Sequence, residues 1–92
     1  MKMAAQREVT LWPSPENYAR FRSVCDDSVP DTFEEFQSLA TARMAEIEKR
    51  EGIKIEKIAF DPDRMAQWCR ANFGKVDSNT RGLYAAFISL SD

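Results

Sequence analysis

The sequence predicts a small α+β domain in which two strands are packed by four helices, in the order β-α-α-β-α-α. Residues 53–60 form the densest run of β-branched side chains, and amphipathic helical patterns flank this run on both sides. Capping residues and glycines mark where those helices begin and end. With 92 residues the chain can bury one modest core. We therefore expect a single domain over residues 1–92, with residues 1–6 loosely ordered.

The first strand is predicted over residues 8–12. Apolar Val9 and Leu11 alternate there with polar side chains, which is the two-residue period of a half-buried strand. Pro13 follows and has no backbone N–H to donate, so the strand should end before it.

The first helix is predicted to start at Ser14, a hydroxyl cap that is followed by a proline and a glutamate. It should end near residues 24–25, because Asp26 and Asp27 are unfavourable at the negative end of the helix dipole. Its apolar face consists of Tyr18, Phe21, Val24 and Cys25.

A second, long helix is predicted from residue 33 to about residue 51. Thr32 and Glu35 have the spacing of a capping box, and Gly52 is a natural stop signal. Its apolar stripe should face the core. The stripe consists of Phe33, Phe36, Ala40, Met44 and Ile47, with Leu39 beside it.

Residues 53–60 are predicted to form a strand in the interior of the domain. Ile53 and Ile55 alternate with charged residues, but the apolar phase then switches at Ile58. Either a bulge lies near residues 56–57, or the far end of the strand is covered on both faces. The alternative, a continuation of the preceding helix, is disfavoured by the glycine before the run and by its β-branched density.

Two further helices are predicted to pair as an αα-hairpin. Asp61 caps the third helix, with Pro62 at its first position, and Gly74 ends it. Asp77 or Ser78 caps the fourth helix, and the short connection makes the two helices antiparallel neighbours. The apolar residues of the pair are Met65, Trp68, Cys69, Phe73, Leu83, Tyr84, Phe87, Ile88 and Leu90.

The core is expected to include Phe36 and Trp68, so that replacing either by alanine should cost about 3–5 kcal/mol of stability. Cys69 lies beside Trp68 and is interpreted as a small buried hydrophobe rather than a nucleophile. Cys25 is expected to be the more exposed thiol. Two cysteines do not make a disulfide framework, and free thiols favour a reducing, cytoplasmic location.

The residue inventory excludes several kinds of active site. The chain has no histidine, which removes His-dependent triads and nearly all zinc sites. Its three glycines are isolated and cannot form a phosphate-binding loop. Asp61 and Asp63 have the spacing that opens a calcium loop, but the glycine and glutamate that such a loop needs are missing. We therefore expect no catalytic residue, no metal site and no cofactor.

A nucleic-acid interface on the last two helices is the best specific alternative. Arg70, Lys75, Asn79 and Arg81 lie near the turn of the predicted hairpin, where they could contact phosphates or base edges. Acidic side chains within residues 61–92 cancel the positive charges, and the spacing does not match a helix-turn-helix. The whole chain has a formal net charge of −2, which indicates neither a nucleic-acid partner nor an anionic-membrane partner.

The sequence favours a non-enzymatic binding or accessory module that works through protein–protein contact or self-association. A two-stranded sheet has two open edges, and an open edge can pair with a second copy or with a partner protein. The alternative is a nucleic-acid-binding regulator that uses the last hairpin, and an enzyme that uses carboxylates, tyrosines or Cys25 is third. No apolar run approaches membrane-spanning length, so no membrane partner is expected.

Overall fold

Two strands and four helices follow one another in the predicted order. The structure, a computed structural model, describes residues 8–90, and the prediction for residues 1–6 lies outside them. The elements are β1 (Glu8–Leu11), α1 (Tyr18–Val24), α2 (Phe33–Glu51), β2 (Ile55–Ile58), α3 (Pro62–Phe73) and α4 (Ser78–Leu90). A two-stranded sheet packed against helices confirms the predicted α+β class.

The two strands pair in parallel, with Glu8 opposite Ile55 and Leu11 opposite Ile58. Parallel neighbours need a crossover connection, and α1 and α2 provide it. The backbone N–H of Trp12 extends the ladder by donating to the carbonyl oxygen of Ile58 at 2.9 Å. β1 is therefore paired with β2 along its whole length.

The second strand is shorter and more exposed than the prediction for residues 53–60. Only Ile55–Ile58 pairs with β1, and the register has no bulge. The two isoleucines at its ends are half-buried on opposite faces of the sheet, whereas the glutamate and lysine between them are exposed. The prediction of an interior strand was wrong because β2 has only one strand neighbour in the described part of the chain.

The predicted helix starts are confirmed where a side chain caps the first turn. Thr32 and Glu35 form both hydrogen bonds of a capping box. The carboxylate of Asp61 accepts from two N–H groups in the first turn of α3. Asp77 caps α4 by accepting from the N–H of Thr80 at 2.9 Å. The two predicted stop glycines have a left-handed backbone: Gly52 and Gly74.

α1 begins later than predicted, at Tyr18. The N–H of Ser14 donates to Oδ1 of Asn17 at 2.9 Å, and the N–H of Asn17 donates to Oγ of Ser14 at 3.0 Å. Ser14 was wrongly assigned as the cap because its hydroxyl closes a turn that precedes the helix. The helix ends at Val24, as predicted, and the aspartates at positions 26–27 lie in the connector that follows.

The core lies between α1, the α3–α4 hairpin and β1. Met65, Cys69 and Val76 are fully buried at its centre, so Cys69 is the buried hydrophobe that the sequence predicts. α1 packs against α3, α3 packs against α4, and α4 also packs along β1. The other buried apolar residues of this cluster are Leu11, Tyr18, Phe21, Val24, Ala66, Tyr84 and Ala85.

α2 contributes no buried residue, contrary to the prediction that its stripe faces the core. Its first turn does pack against the core through Phe33 and Phe36. Farther along, the helix makes few contacts with other elements, and Leu39 is 62% exposed. The reason is length: a helix of 19 residues spans about 28 Å, whereas a strand of four residues spans about 13 Å.

Phe36 and Trp68 lie at the margin of the core rather than in its interior, and both are half-buried. The ring of Phe36 is 5.1 Å from that of Trp12, and the ring of Trp68 is 5.1 Å from that of Phe87. Because part of each ring is already in water, the cost of truncation should fall at the lower end of the range of about 3–5 kcal/mol.

Met65→Ala should lower the free energy of unfolding by about 2–5 kcal/mol, because it empties space around a fully buried side chain. Leu39→Ala should change it by less than about 0.5 kcal/mol, because this leucine is mostly exposed. Urea denaturation followed by circular dichroism measures both. A large loss for Leu39→Ala in dilute protein would contradict the exposed position of this leucine in the single chain.

Candidate interaction groove

Different helices contact β1 and the residue that follows it from the two faces of the sheet. Successive side chains of an extended chain point to opposite faces, so Leu11 and Trp12 lie on opposite sides of the sheet. Leu11 belongs to the core cluster that also contains Tyr84 of α4. The Trp12 ring instead contacts Phe36 of α2. α4 therefore lies on one face of the sheet, and α2 begins on the other.

A groove of about 600 Å³ runs along β1 between these two helices, and we call it the β1 groove. All four residues of β1 line it and form its floor. The rings of Phe21 and Phe36, the connector at residues 27–30 and Ile55 of β2 also line it. The wall residues are Leu39, Ala40, Arg43, Met44 and Ile47 of α2, and Ser78, Arg81 and Gly82 of α4.

The floor of the β1 groove is the outer edge of the sheet. In a parallel ladder, the backbone groups of alternate residues face the neighbouring strand. The N–H of Trp12 faces β2, since it donates to Ile58, and the backbone of Thr10 faces the same way. The N–H and C=O groups of Val9 and Leu11 therefore point away from β2 and into the groove. No other strand in the described part of the chain meets them.

The opposite edge of the sheet, along β2, is blocked where it begins. The N–H of Ile55 points away from β1 and donates to the carboxylate of Glu48 at 2.8 Å. A strand that paired there would have to displace a charge-assisted hydrogen bond, which is stronger than a neutral one. The two sheet edges are therefore unequal, and the β1 edge is the better template for an added strand.

The α2 wall of the groove is apolar along its centre and charged along one flank. Leu39 is 62% exposed, and the other apolar residues of this wall are half-buried. The helical period places four charged residues on the flank beside Leu39. Their signs alternate along the helix in the order Glu35, Arg43, Glu46 and Arg50.

A partly buried ion pair holds the α4 wall in place. The guanidinium of Arg81 donates to both carboxylate oxygens of Asp27, at 2.7 and 3.1 Å, and lies 5.6 Å from the centre of the Phe21 ring. The side chain of Arg81 is only 14% exposed. Burial acts to lower the pKa of Arg81, but its hydrogen bonds to Asp27 raise it overall. Arg81 is therefore a cation whose charge is balanced inside the fold.

The neighbouring aspartate ties the same connector to the turn between α3 and α4. The N–H of Asp26 donates to the carbonyl oxygen of Val76 at 2.8 Å, and its carboxylate accepts from the N–H of Val76 at 2.8 Å. Arg70 donates to the carbonyl oxygen of Val24 at 3.0 Å and lies 3.6 Å from the Asp26 carboxylate. The acidic pair after α1 thus fastens the groove to the core.

The four residues of the predicted nucleic-acid interface have different surroundings. Arg70 and Arg81 bind the connector after α1, as described above. Lys75 lies 3.6 Å from the carboxylate of Asp77, and Asn79 is exposed in the first turn of α4. Each of the three cations thus has an acidic or carbonyl partner within the protein. Nucleic-acid binding stays a prediction.

A second exposed apolar surface lies on the α3–α4 hairpin. Phe73, Phe87 and Leu90 are 46%, 47% and 86% exposed. Trp68 joins the first two, because its ring lies 5.6 Å from that of Phe73 and 5.1 Å from that of Phe87. This surface presents helical side chains only, whereas the β1 groove combines apolar walls with a strand edge.

Sequence reasoning missed the β1 groove, and of its wall residues it singled out only Arg81 as a site residue. An open sheet edge was predicted, but without the choice between the two edges. The signal that could have found the groove is the length of the apolar stripe. From Phe33 to Ile47 the stripe spans about 21 Å of helix, which is more than a strand of residues 8–12 can cover.

Comparisons of the chain with protein-family models, with curated proteins and with solved structures give no match. Within residues 8–90, no three cysteine, aspartate or glutamate side chains are grouped as a metal site would require. No helix in that range is long and apolar enough to cross a membrane. The candidate site therefore rests on the geometry of the β1 groove.

Asp27→Ala should lower the free energy of unfolding by about 1–3 kcal/mol, because it leaves the Arg81 guanidinium without its partner in a partly buried position. The matched control is Asp31→Ala, which removes an exposed ion pair with Arg22 and should cost less than about 1 kcal/mol. Urea denaturation at low and high salt compares them. Equal losses in the two variants would contradict the role assigned to Asp27.

Cys25 should react slowly with thiol reagents. Burial raises its pKa to about 11, although Arg81 lies 3.5 Å from its sulfur, so the thiol stays protonated near neutral pH. Iodoacetamide at pH 8 should modify Cys25 at least about tenfold more slowly than in the unfolded chain, as peptide mass spectrometry can show. Since folding disfavours the thiolate, Cys25 should also reduce stability as pH rises from about 9 towards about 11. Rapid modification in the folded state would contradict this.

Proposed function

We propose that this protein is a non-enzymatic binding module that holds an extended segment of a polypeptide in the β1 groove. The observation that carries the proposal is the outer edge of β1, where the backbone groups of Val9 and Leu11 face a groove with an apolar wall. Strand addition at such an edge gains affinity from main-chain hydrogen bonds and selectivity from the side-chain pockets on either side.

The apolar wall supports the same proposal. A strand added beside β1 would send alternate side chains towards α2 and towards α4. On the α2 side it would cover Leu39, Met44 and Ile47, and removing apolar surface from water contributes roughly 25 cal/mol per Å². Exposed apolar patches with a polar rim are typical of interaction sites.

The fixed geometry of the groove also favours binding. The bidentate pair between Arg81 and Asp27 holds the start of α4, so little order has to be created when a segment binds.

The thiols of Cys25 and Cys69 are both free, which suits a reducing compartment. We propose that the binding takes place in the cytoplasm.

A photo-crosslinking amino acid at position 39, in place of Leu39, tests the proposal. In the cells that produce the protein, it should attach the chain to another polypeptide, which is either a second copy or a different protein. The same amino acid in place of Gln67, which is exposed on α3 and does not line the groove, is the matched control. Products are separated by mass and identified by peptide sequencing.

Met44→Glu, combined with the crosslinker at position 39, should reduce the yield of the product at least about tenfold, because it buries a charge in the apolar wall. The variant's circular dichroism spectrum should match that of the parent, since Met44 is not part of the core cluster. Absence of any product at position 39, or an equal yield at position 67, would contradict the proposed function.

A further inference from the structure

We propose that the occupant of the β1 groove is a second copy of this chain, whose β1 strand pairs antiparallel with the first to form a continuous four-stranded sheet. This inference rests on the proposed function and names its partner. The twofold axis passes between the two Thr10 residues, perpendicular to the sheet. The backbone pattern, the side chains that it brings together and the charges on α2 all support this pairing.

The backbone of β1 is self-complementary in this register. The N–H and C=O groups of Val9 and Leu11 face the groove, whereas those of Thr10 face β2. With Thr10 opposite Thr10, Val9 of one copy lies opposite Leu11 of the other. Each such pair exchanges both of its N–H···O bonds, as the close-paired positions of an antiparallel ladder do. All the outward donors and acceptors of these residues are then satisfied.

The same register places compatible side chains opposite one another. Val9 faces Leu11 on the side of the sheet that carries α4, and Thr10 faces Thr10 on the side that carries α2, both of which are favourable cross-strand pairs. Glu8 of one copy faces Trp12 of the other, so the two glutamates do not meet. A parallel arrangement of the two strands would bring these like charges side by side.

A twofold axis perpendicular to the sheet keeps equivalent helices on the same face. The two α2 helices then lie beside each other in opposite directions, with Leu39, Met44 and Ile47 between them. The charged flanks of the two α2 helices are also complementary. Because the helices run in opposite directions, Glu35 of one copy lies near Arg50 of the other. Parallel helices would instead align Glu35 with Glu35 and Arg50 with Arg50.

The size of the interface also requires the helices to take part. A stable dimer buries about 800 Å² per subunit, which the five paired residues 8–12 cannot supply alone. The stripe of α2, in which Leu39 is exposed and the other apolar residues are half-buried, provides the missing apolar area on the same face. The alternating charges then form the rim of the interface rather than its centre.

Val9→Pro isolates the strand pairing. Proline at position 9 removes an N–H that points into the groove and leaves the bonds between β1 and β2 in place, which sheet edges tolerate. Sedimentation velocity from micromolar to millimolar concentration should show a concentration-dependent dimer for the parent and for the control Val9→Ala. Val9→Pro should weaken dimerisation about 10- to 100-fold. The substitution is present in both copies and therefore removes two hydrogen bonds between them.

Amide hydrogen exchange of the unmodified protein is a second test of the strand pairing, and it needs no variant. The amides of Val9 and Leu11 should exchange more slowly as the protein concentration rises, while those of exposed turns should not change. Circular dichroism and thermal melting of Val9→Pro establish that the fold is retained. If that variant unfolds, the concentration dependence of these two amides decides the question.

The possible outcomes separate this inference from the proposed function. A monomer at millimolar concentration that crosslinks to a different protein at position 39 would overturn the self-pairing and leave the proposed function standing. A monomer that gives no crosslink would overturn both. A dimer that persists in Val9→Pro, with Val9 and Leu11 amides unprotected, would show that the helices pair without the strands and would overturn the inferred register.

Discussion

The parallel pairing of β1 with β2 is the constraint on which the rest of the structure depends. A parallel neighbour requires a crossover, and α1 and α2 form it between the two strands. A sheet of two short strands is marginal without packing on its faces, so helices must cover both sides. Helices can cover faces, but their backbone is already hydrogen-bonded and cannot satisfy a strand edge. The fold therefore leaves two strand edges, and individual side chains determine whether each edge is protected or open to pairing.

Most of the fold could be predicted from interactions between residues close in sequence. Burial could not be predicted in this way, because it depends on tertiary packing. Caps such as Asp61 act within one turn, so the sequence alone places the helix start. Ser14 has the same local signature, yet Asn17 three residues later redirects its hydroxyl into a turn. The burial of residues 53–60 and of the α2 stripe depends on how much surface the rest of the chain can supply, which periodicity does not measure. The groove was missed for the same reason, because it forms where the rest of the chain supplies too little surface to cover the α2 stripe.

The connector after α1 shows why charged residues in a loop can be structural. Asp26 and Asp27 follow one another, but one binds the backbone of Val76 and the other binds the guanidinium of Arg81. Both bonds join the crossover to the hairpin, so the face of the sheet under α4 is held at two points. Because Arg81 is largely buried with its partner, the pair gives the groove a fixed wall and leaves the arginine little charge to offer an external ligand.

The contrast between the two sheet edges is the main support for the proposal that a strand binds at one of them. Proteins commonly protect edges with charged side chains, bulges or proline. Here the carboxylate of Glu48 accepts from the outward N–H at the start of β2. The outward groups of Val9 and Leu11 instead face a groove that is lined by apolar residues of α2 and by four charged side chains, those of Glu8, Asp27, Arg43 and Arg81. An apolar wall next to an open edge promotes pairing, because it shields the new hydrogen bonds from water. An edge that only remained solvated would gain nothing from that wall, which is why we propose that the wall and the edge act together as one binding surface.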